Sequence, residues 1–390
     1  MFDIELNRWG TGSIKFGFHE KFNKPKDVIP LWVADMDFAS PPEVIEVLQK
    51  RVGHGIFGYS YATEDYYESI RNWFRNRYGW APKPEWDQQI PGVMFGVAAA
   101  IRAVTKEGEA VLIQQPVYPP FEEVIHANRR KLIVNELLLE NGKYVIDFDA
   151  FEQQIIRENV KVFLLCSPHN PVARVWTENE LRKMGEIALK HGVKVIADEI
   201  HADFTLFGNR HFLFPSLGEE FSKNTVLCTS PSKTFNLMGL QTANIWAEDP
   251  SWRKAIQEQC LQFHWHGINA AALEASAAAY RFGKEWFDAL SAYLEENVRF
   301  VNRRLKEMNS GIWTAPHEGT YLMWLDCRKW GLTERNLDLF WTEKARLWLN
   351  PGIIFGKGGA GFMRMNIASP RSILMRAMDQ LEMAMNSGVS

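Results

Sequence analysis

The chain has 390 residues, with 46% hydrophobic and 23% charged side chains and a formal net charge of −3. That length and apolar content predict a folded protein of two or three units and exclude a disordered chain. The weak negative balance offers no general attraction to nucleic acid or anionic membranes, so a small molecule is the expected partner.

Residues 1–45 are rich in turn formers and aromatics and read as an N-terminal arm, with part of it expected in a smaller unit. The arm ends in Leu31-Trp-Val-Ala-Asp-Met-Asp-Phe-Ala-Ser-Pro-Pro, and the Ser-Pro-Pro predicts a helix through about Val52. Pro91-Gly-Val-Met-Phe-Gly-Val-Ala then precedes a helix whose first backbone N–H groups could receive a phosphate. Beyond it, short runs that are apolar throughout alternate with amphipathic stretches of helix length. The runs are Ala110-Val-Leu-Ile, Val162-Phe-Leu-Leu-Cys, Lys194-Val-Ile-Ala and Thr225-Val-Leu-Cys. Such runs predict parallel strands covered on both faces, an α/β unit assigned to residues 46–284. A long helical pattern begins near Glu285. Two strands, Tyr321-Leu-Met-Trp-Leu-Asp and Gly361-Phe-Met-Arg-Met-Asn, follow with a helix between them, predicting a smaller α+β unit over residues 285–390.

The N-terminus carries an early acid and lacks a signal-peptide core, and no window has the composition of a spanning helix. The four cysteines, Cys166, Cys228, Cys260 and Cys327, form no C-x-x-C pair. Together these predict a cytoplasmic protein without a metal site or a disulfide framework.

Ligands of open α/β sheets bind beyond the carboxyl ends of the strands, and three successive predicted strands end in polar signals. Thr229-Ser-Pro-Ser-Lys places Lys233 just past one of them, where burial could lower its pKa and make it an amine nucleophile toward a carbonyl. Asp198, at the tip of Lys194-Val-Ile-Ala-Asp, could pair with a protonated ring nitrogen, although a lone Asp there could equally cap a helix. Asn170, between Pro168 and Pro171, could donate to a ring hydroxyl. Tyr118, after the Ala110 run, could stack on an aromatic cofactor. Arg364 could hold a substrate carboxylate through two parallel hydrogen bonds. Taken singly each is an ordinary turn, surface or core residue. Their order along the chain is what gives them weight.

That ordered set resembles the fold-type I enzymes dependent on pyridoxal 5′-phosphate (PLP), in the class I/II aminotransferase superfamily. Within them it is similar to the MalY/PatB-like cystathionine β-lyases, also called cysteine-S-conjugate β-lyases. The phrases that carry the resemblance are Trp32-Val-Ala-Asp-Met-Asp-Phe, Phe57-Gly-Tyr-Ser, Ser167-Pro-His-Asn-Pro, Asp198-Glu-Ile-His-Ala-Asp, Ser232-Lys-Thr-Phe-Asn, Thr320-Tyr-Leu-Met-Trp-Leu-Asp and Gly361-Phe-Met-Arg-Met-Asn. The resemblance implies an aspartate-aminotransferase-like fold with a mainly parallel central sheet. It implies that Lys233 carries the cofactor as a Schiff base and later removes the substrate α-proton. Asp198 would pair with the pyridine nitrogen, Asn170 would contact the ring oxygen and Tyr118 would stack on the ring. The amides of Val93 and Met94, with the hydroxyls of Ser230 or Ser232, would take the phosphate. Tyr59 would reach the phosphate from the neighbouring subunit of a homodimer with shared sites.

His201 is expected near the ring, and Asp37 and Arg364 around the substrate. The activity implied is cleavage of cystathionine or a cysteine S-conjugate to a thiol, pyruvate and ammonia. The alternatives are an aminotransferase and a PLP-fold protein with an added partner-binding, regulatory role. Two departures stand out: Gln241 replaces an arginine common eight residues after the lysine, and Asn170-Pro-Val-Ala173 replaces Asn-Pro-Thr-Gly.

Overall fold

A computed structural model describes residues 1–389. Seven strands build its larger sheet: β1 (Asp87–Ile90), β2 (Ala110–Gln115), β3 (Lys131–Glu136), β4 (Val160–Cys166), β5 (Lys194–Asp198), β6 (Thr225–Thr229) and β7 (Ala243–Ala247). Their spatial order is β1-β7-β6-β5-β4-β2-β3. All neighbours from β6 to β3 are parallel, and β7 runs antiparallel to both β1 and β6. The four predicted apolar runs are therefore the sheet's parallel interior. Strands β1, β3 and β7 complete it.

Alternation along these strands feeds two cores. Val111, Ile113, Val162, Leu164, Ile196, Val226 and Ile245 pack on one face. Ala110, Leu112, Phe163, Leu165, Val195, Leu227 and Trp246 pack on the other. Burial on both faces explains why β2, β4, β5 and β6 are apolar along their middles, with Lys161, Lys194, Thr225 and Gln115 at or next to their ends.

Three helices position the site: α1 (Glu64–Tyr78), α2 (Val93–Val104) and the five-residue α3 (Pro231–Phe235). The helix expected after Ser40 spans Pro42–His54, and the one expected near Glu285 spans Lys284–Glu307. A second, antiparallel sheet comprises β8 (Trp313–Thr314), β9 (Leu322–Asp326), β10 (Asn350–Pro351) and β11 (Phe362–Asn366), in the order β8-β9-β11-β10. The arm joins this part of the chain, because Ile29 and Pro30 pair in parallel with Leu347 and Trp348. Among the described residues no helix is long and apolar enough to cross a membrane.

Candidate active site

The chain order β2, β3, β4 against the spatial order β4-β2-β3 makes a topological switch between β2 and β4. The carboxyl ends of strands there leave a crevice. A cleft of about 500 Å³ lies at those ends. Tyr118 follows β2, Asn170 follows β4, Asp198 ends β5 with His201 in the turn after it, and Ser230, Ser232 and Lys233 follow β6. Val93 and Met94 begin α2, and Asn350 and Arg364 come from the second sheet; all of these line the cleft.

Lys233 sits in α3, whose start is fixed by Ser230. The Ser230 hydroxyl accepts the Ser232 N–H (3.0 Å) and donates to the Thr242 carbonyl (2.6 Å). Lys233 is half-buried, and its Nζ donates to the Ala34 carbonyl at 2.8 Å. Burial, and then the nearby Arg364 charge, lower its pKa to about 8 against the pull of Asp35 and Asp198. An amine in this state is partly unprotonated near neutrality, as nucleophilic and basic roles require.

Asp198 is buried, and burial pushes its carboxyl up to about 7, although the Ile200 N–H (3.1 Å) and Lys233 favour its charge. A cationic ring nitrogen beside it would offset that cost. Arg364 is buried among neutral acceptors: Nη1 donates to Asn170 Oδ1 (3.1 Å), and Nη2 to the Trp32 carbonyl (2.8 Å) and Asn350 Oδ1 (2.7 Å). Its Nε has no partner among the described residues, and burial lowers its pKa to about 10. An incoming carboxylate answers both conditions. Burial holds the His201 imidazole well below its usual pKa, and its Nδ1 is also without a partner among the described residues. Burial likewise raises the Tyr118 phenol, leaving it neutral.

The N-terminus of α2 has no side-chain cap, so its first N–H groups remain free for an anion at the positive end of the helix dipole. Ser230, Ser232, Gln241 and Thr242 line the same cleft with neutral polar groups. A half-buried amine, a carboxyl that needs a cation, an amide and an uncapped helix start fit a phosphorylated pyridine aldehyde.

A profile of the aminotransferase class I and II family matches residues 26–381. The chain belongs to that family. It is 37% identical to cystathionine β-lyase PatB of Bacillus subtilis, across 99% of this chain and 100% of PatB. Protein MalY of Escherichia coli is 32% identical, with 96% of each chain covered. Among solved structures, cystalysin from Treponema denticola, which contains a pyridoxal 5′-phosphate cofactor, aligns with a TM-score of 0.96. It is 34% identical, and the alignment covers 99% of each chain.

Two expected residues of this family member are not brought to the cleft within one chain. Asp37 is buried elsewhere, with its carboxylate taken up by Arg8 (2.8 Å), Lys15 (2.7 Å) and Ser369 (2.6 Å). Trp32, Val33 and Ala34, from the same phrase, line the cleft instead, with Ile14. Tyr59 is fully exposed outside the cleft, within residues 53–61, which are all exposed. Residues 32–34, Ile14 and Asn350 were not picked out as site residues from the sequence. The Trp32 phrase is the one signal for residues 32–34, and nothing in the local sequence marks Ile14 or Asn350. At the second departure, Ala173 takes the left-handed conformation itself (φ 57°), and its N–H still reaches the His169 carbonyl (2.9 Å). The loop that presents Asn170 is thus closed without the glycine.

Proposed function

We propose that the protein is a PLP-dependent carbon–sulfur β-lyase that cleaves L-cystathionine or a related cysteine S-conjugate to a thiol, pyruvate and ammonia. The observation that carries this reading is the meeting of Lys233, Asp198 and Arg364 in one cleft, in a chain similar throughout its length to PatB and MalY. The chemistry the cofactor supplies is electron withdrawal from the substrate α-carbon, which makes the α-proton removable and the β-sulfur expellable.

The chain's own residues do the rest. Lys233 Nζ would hold the cofactor at its aldehyde carbon and, when free, would serve as the base that takes the substrate α-proton. The Asp198 carboxylate would keep the ring nitrogen protonated. Asn170 spends its Oδ1 on Arg364 and keeps its Nδ2 to donate to the ring oxygen. Arg364 would orient the substrate by its carboxylate, and Tyr118 would cover the ring face, with the neutral His201 lining the same cleft. The amides of Val93 and Met94, with Ser230 and Ser232, take the phosphate without an arginine. Tyr59 completes the neighbouring site in a homodimer, a reading supported by its full exposure beside exposed Ile56, Phe57 and Tyr61. The four free cysteines are all buried, which suits a reducing cytoplasm.

Incubation of the purified protein with L-cystathionine should release free thiol and pyruvate together. Transfer of the amino group to an added keto acid without thiol release would refute the lyase in favour of an aminotransferase. The Lys233→Ala variant should lose both turnover and the coloured Schiff base.

A further inference from the structure

The two poles of the cleft, Asp198 and Lys233, follow adjacent parallel strands. The ladder between those strands ends at the Asp198–Cys228 pair. Past it the Glu199 N–H still reaches the Cys228 carbonyl (3.0 Å) and Thr229 pairs with Asn244 of β7, but neither contact joins α3 to the turn after β5, which needs a tie of its own. One exists: Asp203 Oδ2 accepts the Thr234 hydroxyl at 2.7 Å, with Thr234 directly after Lys233 and only 1% exposed. The other oxygen of Asp203 accepts Trp73 Nε1 (2.9 Å) and Tyr78 Oη (2.6 Å) and pairs with Arg77 (2.9 Å), all three from α1. Trp73 also packs edge-on against Phe235, the last residue of α3 (centroids 5.2 Å apart).

From this geometry we infer that Asp203 and Thr234 are positioning residues, which set the separation of Lys233 from Asp198 by clamping α3 to the turn after β5. A carboxylate held by this many donors has little freedom to move, so it serves as a fixed post. Thr234 is the one residue of α3 whose side chain reaches that post. Its hydroxyl can be removed without emptying the core, since valine has nearly the same shape, and Asp203 would keep its three α1 partners. The inference rests on Lys233 being the cofactor lysine.

The test compares Thr234→Val with Thr234→Ser in the full-length enzyme. The readouts are the rate at which apoprotein captures PLP as a coloured Schiff base, the pH midpoint of that colour, and kcat and KM separately. Displacing a reacting group by 1 Å costs about 100-fold, so a smaller drift predicts about a tenfold loss in capture rate and in kcat for Thr234→Val. KM should stay within about twofold, because substrate contacts are untouched. The pH midpoint should move, since Lys233 shifts against Arg364 and Asp198. Thr234→Ser should match the wild type in all of these. A Thr234→Val enzyme with wild-type capture rate, midpoint and kcat would overturn the inference. A wild-type protein that forms no Schiff base would instead overturn the cofactor-lysine reading and the inference with it.

Discussion

Replacing Asp198 by Asn should stabilise the cofactor-free protein and weaken the cofactor-loaded one. The folded carboxyl has its pKa raised from 3.8 to about 7, chiefly by burial. A group whose folded pKa exceeds its unfolded value favours the fold below the unfolded pKa and loses that advantage as pH rises to the folded pKa. At about 1.36 kcal/mol per pKa unit, this difference makes the ionised Asp198 cost about 4 kcal/mol above pH 7. Asn keeps an oxygen for the Ile200 N–H but buries an amide of its own at about 2 kcal/mol, so the net gain should be about 2 kcal/mol. Urea unfolding of both apoproteins at equal concentration, from pH 5 to 8, provides the assay. The gap should widen by about 1.4 kcal/mol per pH unit until about pH 7 and then level off. Saturating PLP should reverse the order, because only the carboxylate can pair with a ring cation. A gap independent of pH, or a variant less stable than wild type at pH 8, would refute the reasoning.

Other consequences are open to measurement. Arg364→Gln removes two charge-assisted hydrogen bonds to the substrate carboxylate, worth about 1.5 kcal/mol each, so KM should rise about 100-fold. It also removes the like charge that helps depress Lys233, so the acid limb of the kcat profile should move to higher pH; an unmoved limb would contradict this. Ala173→Gly relieves a left-handed strain of about 1–2 kcal/mol at the cost of about 0.5–1 kcal/mol of chain entropy. A slightly higher urea midpoint is expected, and a clear loss would refute the strain account. Mixing Tyr59→Ala with Lys233→Ala subunits should restore activity that neither variant has alone, because a hybrid dimer holds one intact site. No recovery would place Tyr59 outside the chemistry.

The interior of the larger sheet was legible because burial on both faces demands apolar runs, as in Val160–Cys166. The edges were not. Asp87–Ile90 reads Asp-Gln-Gln-Ile, and Lys131–Glu136 reads Lys-Leu-Ile-Val-Asn-Glu with only three apolar residues between polar ends, so neither shows the run that marks an interior strand. At the cleft, Lys233, Asp198, Asn170 and Tyr118 could be read as neighbours because each lies at or just past the carboxyl end of a strand. The Ala34 carbonyl could not, since it meets Lys233 across 199 residues through a backbone atom that any residue would supply. Asp37 misled for a related reason: a carboxylate in a chemically suggestive phrase was spent on Arg8 and Lys15. Asp203 lay within a quoted phrase, but its role depends on three residues of α1 that no local pattern links to it.

The Ala34 carbonyl accepts a second donor besides Lys233, the buried Tyr321 hydroxyl, also at 2.8 Å. When the lysine swings away to bind or deprotonate, that oxygen keeps a partner and no buried polar group is stranded. The tyrosine therefore acts as a permanent tenant of a berth that the lysine uses only between tasks. Departure and return cost the backbone little, and the N-terminal arm becomes part of the resting machinery of an amine 199 residues away.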